Sequence, residues 1–271
     1  MGVTDKVNAL HGQAGVVELA SARLYALGDN FMLDERVSWA PQGFRGYQAA
    51  NSYLVLDGDE ALLVDTGPAV VGEAIIRQLE SLCRPGSDLD IYITRPEFDT
   101  MGNLSAIAER YRVRVLGRFS AFGTWSNRPA ESTPARAGQF LAFGSRQLKV
   151  VEPGLRLLPT SWLYDAATKT LFTSDSFTHA LSDSPNAPRV ETDKSPQPDP
   201  SAVAASLFVK NWWLHGSRQY EVAAEIVRVF EEHEVHTIAP SYGRVLQGRN
   251  VVNAHLAALL GALSEGEAKG A

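Results

Sequence analysis

The chain has 271 residues, 45% of them hydrophobic and 21% charged, with a net charge of −6, enough to bury one large core or two small ones. The acidic balance and the lack of a dense basic run argue against a nucleic-acid partner, and no apolar stretch reaches the roughly 18 residues of a membrane span. A single cysteine, Cys83, excludes an internal disulfide and a thiolate metal cluster.

Residues 1–15 read as a loose arm without the basic start and apolar centre of a secretory signal. A cytoplasmic location is therefore expected, with a single domain over 16–265. Strand-like segments at 21–28 and 31–39 are broken by Gly28-Asp29-Asn30. Residues 51–56 and 60–64 form two strands around Asp57-Gly58-Asp59, a hairpin signal. The second runs into a turn, Asp65-Thr66-Gly67-Pro68, and a helix follows with Val70, Val71, Ala74, Ile75, Leu79 and Leu82 on its apolar face. A buried strand at 91–93 leads into the loop Thr94-Arg95-Pro96-Glu97-Phe98-Asp99-Thr100-Met101-Gly102-Asn103, followed by a helix over 104–111 and a strand at 113–116.

Strands are predicted at 146–151, 162–165 and 169–173, the last two joined by a turn at Ala166-Ala167-Thr168. The segment 182–200 carries five prolines and reads as a long surface loop. Helices follow over 202–214 and 218–232, then a short strand at 236–240, the turn Ser241-Tyr242-Gly243, and a last helix over 251–263. Strands then helix, strands then helices, predicts an α/β fold: a four-layer αββα sandwich.

Loops that leave the carboxyl ends of parallel strands converge on one place, so the carboxylates of the 94–103 loop mark a site. Four segments in order resemble the metallo-β-lactamase fold and, within it, the oxygen-binding diiron branch of flavodiiron proteins. They are Asn51-Ser52-Tyr53-Leu54 through Val64-Asp65-Thr66-Gly67, the 94–103 loop, Trp162-Leu163-Tyr164-Asp165 through Thr173-Ser174-Asp175, and Ala239-Pro240-Ser241-Tyr242-Gly243. In that family the loop looks like His-x-Glu-x-Asp-His-x-Gly-Asn, and two further histidines and a bridging aspartate complete a dinuclear centre. Carried onto this chain, the four histidine positions fall on Arg95, Thr100, Arg156 and Tyr242. The carboxylates are kept as Glu97, Asp99 and Asp175. Glu152 is an alternative to Arg156 if a gap is allowed.

Arginine does not deprotonate in a protein and has no lone pair for a metal. The pattern therefore predicts no cofactor where the family norm is two iron or zinc ions, with Arg95 and Arg156 set against Glu97, Asp99 and Asp175. Asp99, Asp175, Thr100 and Tyr242 remain a second possibility, an oxygen set for a hard ion. Tyr242 and His179 are the candidates for proton transfer; His179 lies four residues after Asp175.

Three functions follow from the resemblance. The first is a metal-free, degenerate subunit of a hydrolase complex, paired with a homologous catalytic subunit or with itself; the two-component ether hydrolase that demethylates dinitroanisole is the analogy. The second is a metal-independent binder or hydrolase with Arg95 and Arg156 as an anion clamp. The third is a hydrolase that keeps one metal at the second position.

Overall fold

A computed structural model describes residues 15–34, 40, 43–117, 131–155 and 159–268. Two seven-stranded sheets face one another and helices cover both outer faces. The first sheet runs in the order β1 (Val17–Ala20), β2 (Leu24–Leu33), β3 (Gly46–Asp57), β4 (Glu60–Val64), β5 (Asp88–Tyr92), β6 (Arg112–Gly117), β7 (Glu131–Pro134). The second sheet contains β8 (Phe140–Phe143), β9 (Arg146–Val151), β10 (Trp162–Asp165), β11 (Thr170–Phe172), β12 (Val190–Glu191), β13 (Thr237–Ala239) and β14 (Val245–Gln247). Its order is β12-β14-β13-β11-β10-β9-β8.

Strand alternation sorts the apolar residues into layers. In β3, Tyr53 and Val55 point to the core between the sheets, where they meet Leu148, Leu163 and Phe172. Leu54 and Leu56, one step out of phase, face the outer helices with Leu79, Leu104 and Ile107. Trp162 and Tyr164 of β10 do the same on the far side, packing on Leu207, Ile226 and Leu259.

The helices are α1 (Gly72–Leu82), α2 (Phe98–Met101), α3 (Leu104–Ala108), α4 (Pro200–Lys210), α5 (Gln219–Glu232) and α6 (Arg249–Ala268). Asp199 caps α4 by accepting from the Ser201 backbone N–H at 2.9 Å, with Pro200 at the first helical position.

Several expectations are corrected. The break at Gly28-Asp29-Asn30 does not exist: β2 runs unbroken from 24 to 33, in register with β3 from Leu24↔Val55 to Leu33↔Gly46. Gly28 bridges the segment at φ 125, and a Gln78 side chain satisfies its N–H and C=O. Residues 35–39 lie outside the described set. The helix expected over 104–111 is the shorter α3, the 94–103 loop carries a separate helical turn, α2, and the helix expected over 202–214 stops at Lys210 before a single 3₁₀ turn, Trp212–Leu214. The loop over 182–200 carries edge strand β12, paired in parallel with β14. Arg189 fixes this segment by donating to the Asn51 side chain and to the carbonyls of Gly15 and Ala26.

Candidate functional site

The site stands at the carboxyl ends of two parallel pairs. β4 and β5 pair in parallel in the first sheet, β11 and β13 in the second. The loops after these four strands bring Asp65, residues 94–103, Asp175 and Tyr242 to one end of the sandwich.

Asp65 ties three of those loops together. Its carboxylate accepts from the Thr94 backbone N–H (2.8 Å), the Thr94 hydroxyl (2.8 Å) and the Ser241 hydroxyl (2.6 Å). Its own φ is 57, in the left-handed region that aspartate tolerates better than most residues. Burial pushes its carboxyl up to about 6, against the pull of the Ser241 and Thr94 hydrogen bonds. Gly67 has φ 69, a backbone conformation that favours glycine, and backs onto the tip of the Ile75 side chain.

Above this tie sits an ion-pair cluster. The Arg95 guanidinium donates through Nη2 to Asp99 Oδ2 and through Nη1 to Asp175 Oδ2 at 2.6 Å. Lys210, the last residue of α4, reaches the same aspartate: Nζ is 2.5 Å from the Asp175 carbonyl and 3.5 Å from Oδ2. One carboxylate therefore serves two cations. The four side chains are only 12–18% exposed, so their charges interact with little solvent screening. Burial raises the Asp175 carboxyl, but Lys210 and then Arg95 outweigh it and hold the group below its ordinary value. Burial lowers the Lys210 ammonium to about 8; Asp175 opposes that and Arg95 adds to it.

The other predicted residues take different places. The Thr100 hydroxyl is spent within its loop, donating to the Arg95 and Glu97 carbonyls. Glu97 stands before α2, and its side chain has no hydrogen bond or ion pair among the described residues. Tyr242 is 2% exposed, edge-on to Phe31 at 6.2 Å, with Lys210 Nζ 5.9 Å from its ring centre. Burial raises its phenol well above the ordinary range, which leaves it a poor proton donor or acceptor near neutrality. His179 bonds to His255 of α6 at 2.8 Å and makes no contact with the Arg95 cluster. Arg156 lies outside the described residues; Glu152 is within them, on the stretch after β9.

Arg156, the second guanidinium expected against the carboxylates, lies outside the described residues. The described cluster is one guanidinium and one ammonium against two carboxylates. Lys210 was missed because it ends an apolar helix, where a lysine reads as a favourable charge on the helix dipole. Two buried atoms, Arg95 Nε and Asp99 Oδ1, have no hydrogen-bond partner among the described residues.

No protein-family model and no curated protein sequence matches the chain. Solved structures do. Rubredoxin:oxygen oxidoreductase from Desulfovibrio gigas aligns at a TM-score of 0.66 and 17% identity over 92% of this chain and 61% of its own. The flavodiiron protein of Giardia intestinalis aligns at 0.63 and 16%, over 94% and 59%. A fragment of a diflavin flavoprotein from Nostoc aligns at 0.67 and 16%, over 93% and 97%. The chain has the metallo-β-lactamase fold, in the form found in the core of flavodiiron proteins. It spans about 60% of the length of the first two structures.

The expectation of no cofactor is corrected by these neighbours: the structures from Thermotoga maritima and Giardia intestinalis are described as flavodiiron proteins. At the Arg95 cluster itself, the side chains do not fit a pair of irons. The described residues contain no group of three or more His, Cys, Asp or Glu able to hold a metal ion, and a guanidinium lends no electron pair. The oxygen set of Asp99, Asp175, Thr100 and Tyr242 is not assembled either, since Thr100 and Asp175 are engaged as described. No helix among the described residues is long and apolar enough to cross a membrane.

Proposed function

We propose that this chain is a degenerate subunit of a hydrolase complex, acting beside a homologous catalytic chain. The observation that carries the reading is Asp175, whose Oδ2 is shared by Arg95 and Lys210. In the family pattern this position is the bridging aspartate. Here Oδ2 is taken by two side-chain cations. Such a chain keeps the frame and the loop shape of a catalytic subunit and is useful for pairing with one. The two-component hydrolase that demethylates dinitroanisole is the pattern for the assembly, and the cytoplasm is its place of action. Affinity purification of the tagged chain from its native host tests this. Recovery of a hetero-oligomer with a homologue bearing the intact His-x-Glu-x-Asp-His loop is expected; a stable, partnerless monomer would overturn it.

A second reading rests on the unpartnered Arg95 Nε. Arg95, with Lys210 in the role expected of Arg156, forms an anion clamp for a carboxyl- or nitro-bearing ligand. Benzoate titration by calorimetry tests it: wild type binds and Arg95→Ala does not. Equal binding by both rules the clamp out.

A further inference from the structure

Away from the Arg95 cluster, the proline-rich segment and the first turns of α6 flank a half-open cavity of about 170 Å³. His255 forms part of its wall and is 2% exposed. Both ring nitrogens of His255 are occupied: Nδ1 is 2.8 Å from His179 Nε2 and Nε2 is 2.9 Å from Glu191 Oε2. The two imidazoles stack with ring centres 5.1 Å apart and 17° between their planes. Glu191 Oε1 accepts from Arg244 at 3.3 Å. Burial, then the neighbouring His255, lowers His179 to about 3, so it stays neutral at ordinary pH.

This arrangement does more than brace the loop. His179 lies four residues beyond Asp175, and Arg244 two beyond Tyr242. The wall of the cavity is thus joined by one hydrogen bond to the Asp175 loop and, through Glu191, by a second route to the Tyr242 loop. The lining sets the chemistry of an occupant. Asp193 is its only carboxylate, no lysine or arginine lines it, and the Asp193 side chain has no hydrogen bond or ion pair among the described residues. Pro196, Pro198 and Ala254 supply apolar wall, and Asn250 a further polar group.

We infer that this cavity binds a small organic amine, its ammonium on Asp193 and its hydrocarbon against the prolines and Ala254, and that occupancy is transmitted through His255 to the Asp175 loop. The inference is independent of the hydrolase-subunit reading and stands or falls without it.

Benzylamine is the probe, with benzyl alcohol as its uncharged match, followed through the histidine side-chain NMR signals of the full chain. Benzylamine is expected to shift the His255 and His179 signals saturably, and benzyl alcohol to bind about fivefold more weakly, the difference one exposed charge pair makes. Asp193→Asn, at an exposed position, brings the amine down to the level of the alcohol. Ala254→Trp fills the cavity and abolishes both. In His255→Gln, benzylamine still binds by calorimetry, but the His179 signal no longer moves. Signals that stay fixed, or shifts that are the same in wild type, Asp193→Asn and Ala254→Trp, would overturn the proposal. A His179 shift that persists in His255→Gln would overturn the transmission route.

Discussion

Two arginine–aspartate clusters in this molecule use the same chemistry to different ends. Arg146 of β9 donates to Asp165 at 3.0 Å and to the Leu56 carbonyl at 2.6 Å, and its Nε faces Asp57 at 3.5 Å. Both Asp165 oxygens are engaged, one by the Ala167 N–H and the other by Arg146 and the Thr168 hydroxyl. Arg146 and Asp165 are 5% and 0% exposed. In both clusters the guanidinium Nε lacks a hydrogen-bond partner among the described residues; at the Arg95 cluster one aspartate is also shared between two cations and Asp99 Oδ1 is left unmatched. Burying a polar atom without a partner costs about 1–3 kcal/mol. The first cluster engages both oxygens of its buried aspartate, whereas the second leaves Asp99 Oδ1 open to a water, a ligand or a partner's side chain.

The sharpest break between the two comes from removing one partner from each. Asp165→Ala leaves the buried Arg146 guanidinium with only the longer Asp57 contact and the Leu56 carbonyl, and is expected to cost about 3–5 kcal/mol, read from the urea midpoint. Arg95→Ala leaves Asp175 still paired with Lys210 and returns Asp99 to partial hydration. It is expected to cost less, about 1–3 kcal/mol. Equal costs would mean that both clusters are structural.

Lys210→Met gives the smallest and most diagnostic effect. The folded ammonium is lowered to about 8, whereas the unfolded lysine titrates near its ordinary 10.5. Between these values the unfolded chain holds a proton that the folded chain lacks, so stability rises with pH across the window. Urea unfolding from pH 8 to 10 should show that rise in wild type and lose it in Lys210→Met, a difference of about 1–2 kcal/mol. Parallel profiles would remove Lys210 from the cluster's charge balance.

Much of the frame is legible in the sequence, for local reasons. Asp57-Gly58-Asp59 turns one strand into the next because glycine at φ 62 meets the demand of a tight hairpin. The strands at 146–151 and 162–165 match their predicted bounds. What is lost depends on distance in the chain. β14 is three residues long and gains its identity only by pairing with β12 and β13. Gly28 reads as a breaker because Gln78, fifty residues away, supplies the partners that keep it in a strand. At the site, Arg95, Asp99 and Asp175 stand out as charges in a loop pattern, but nothing local to Lys210 announces that its ammonium ends on Asp175. Glu97 has the opposite history: prominent in the motif, it takes no part in the pairing.

The bond from Ser241 to Asp65 spans 176 residues, and Asn51 likewise donates to the carbonyls of Pro240 and Gly243. During synthesis, the first sheet is complete long before the loop after β13 leaves the ribosome. Until then the second sheet lacks β13 and β14, and Asp65 lacks its bond from Ser241. Pairings of such long range are slow to form and leave sticky intermediates. The cluster is thus among the last features to appear, and a nascent chain cut short of β13 is a client for chaperones.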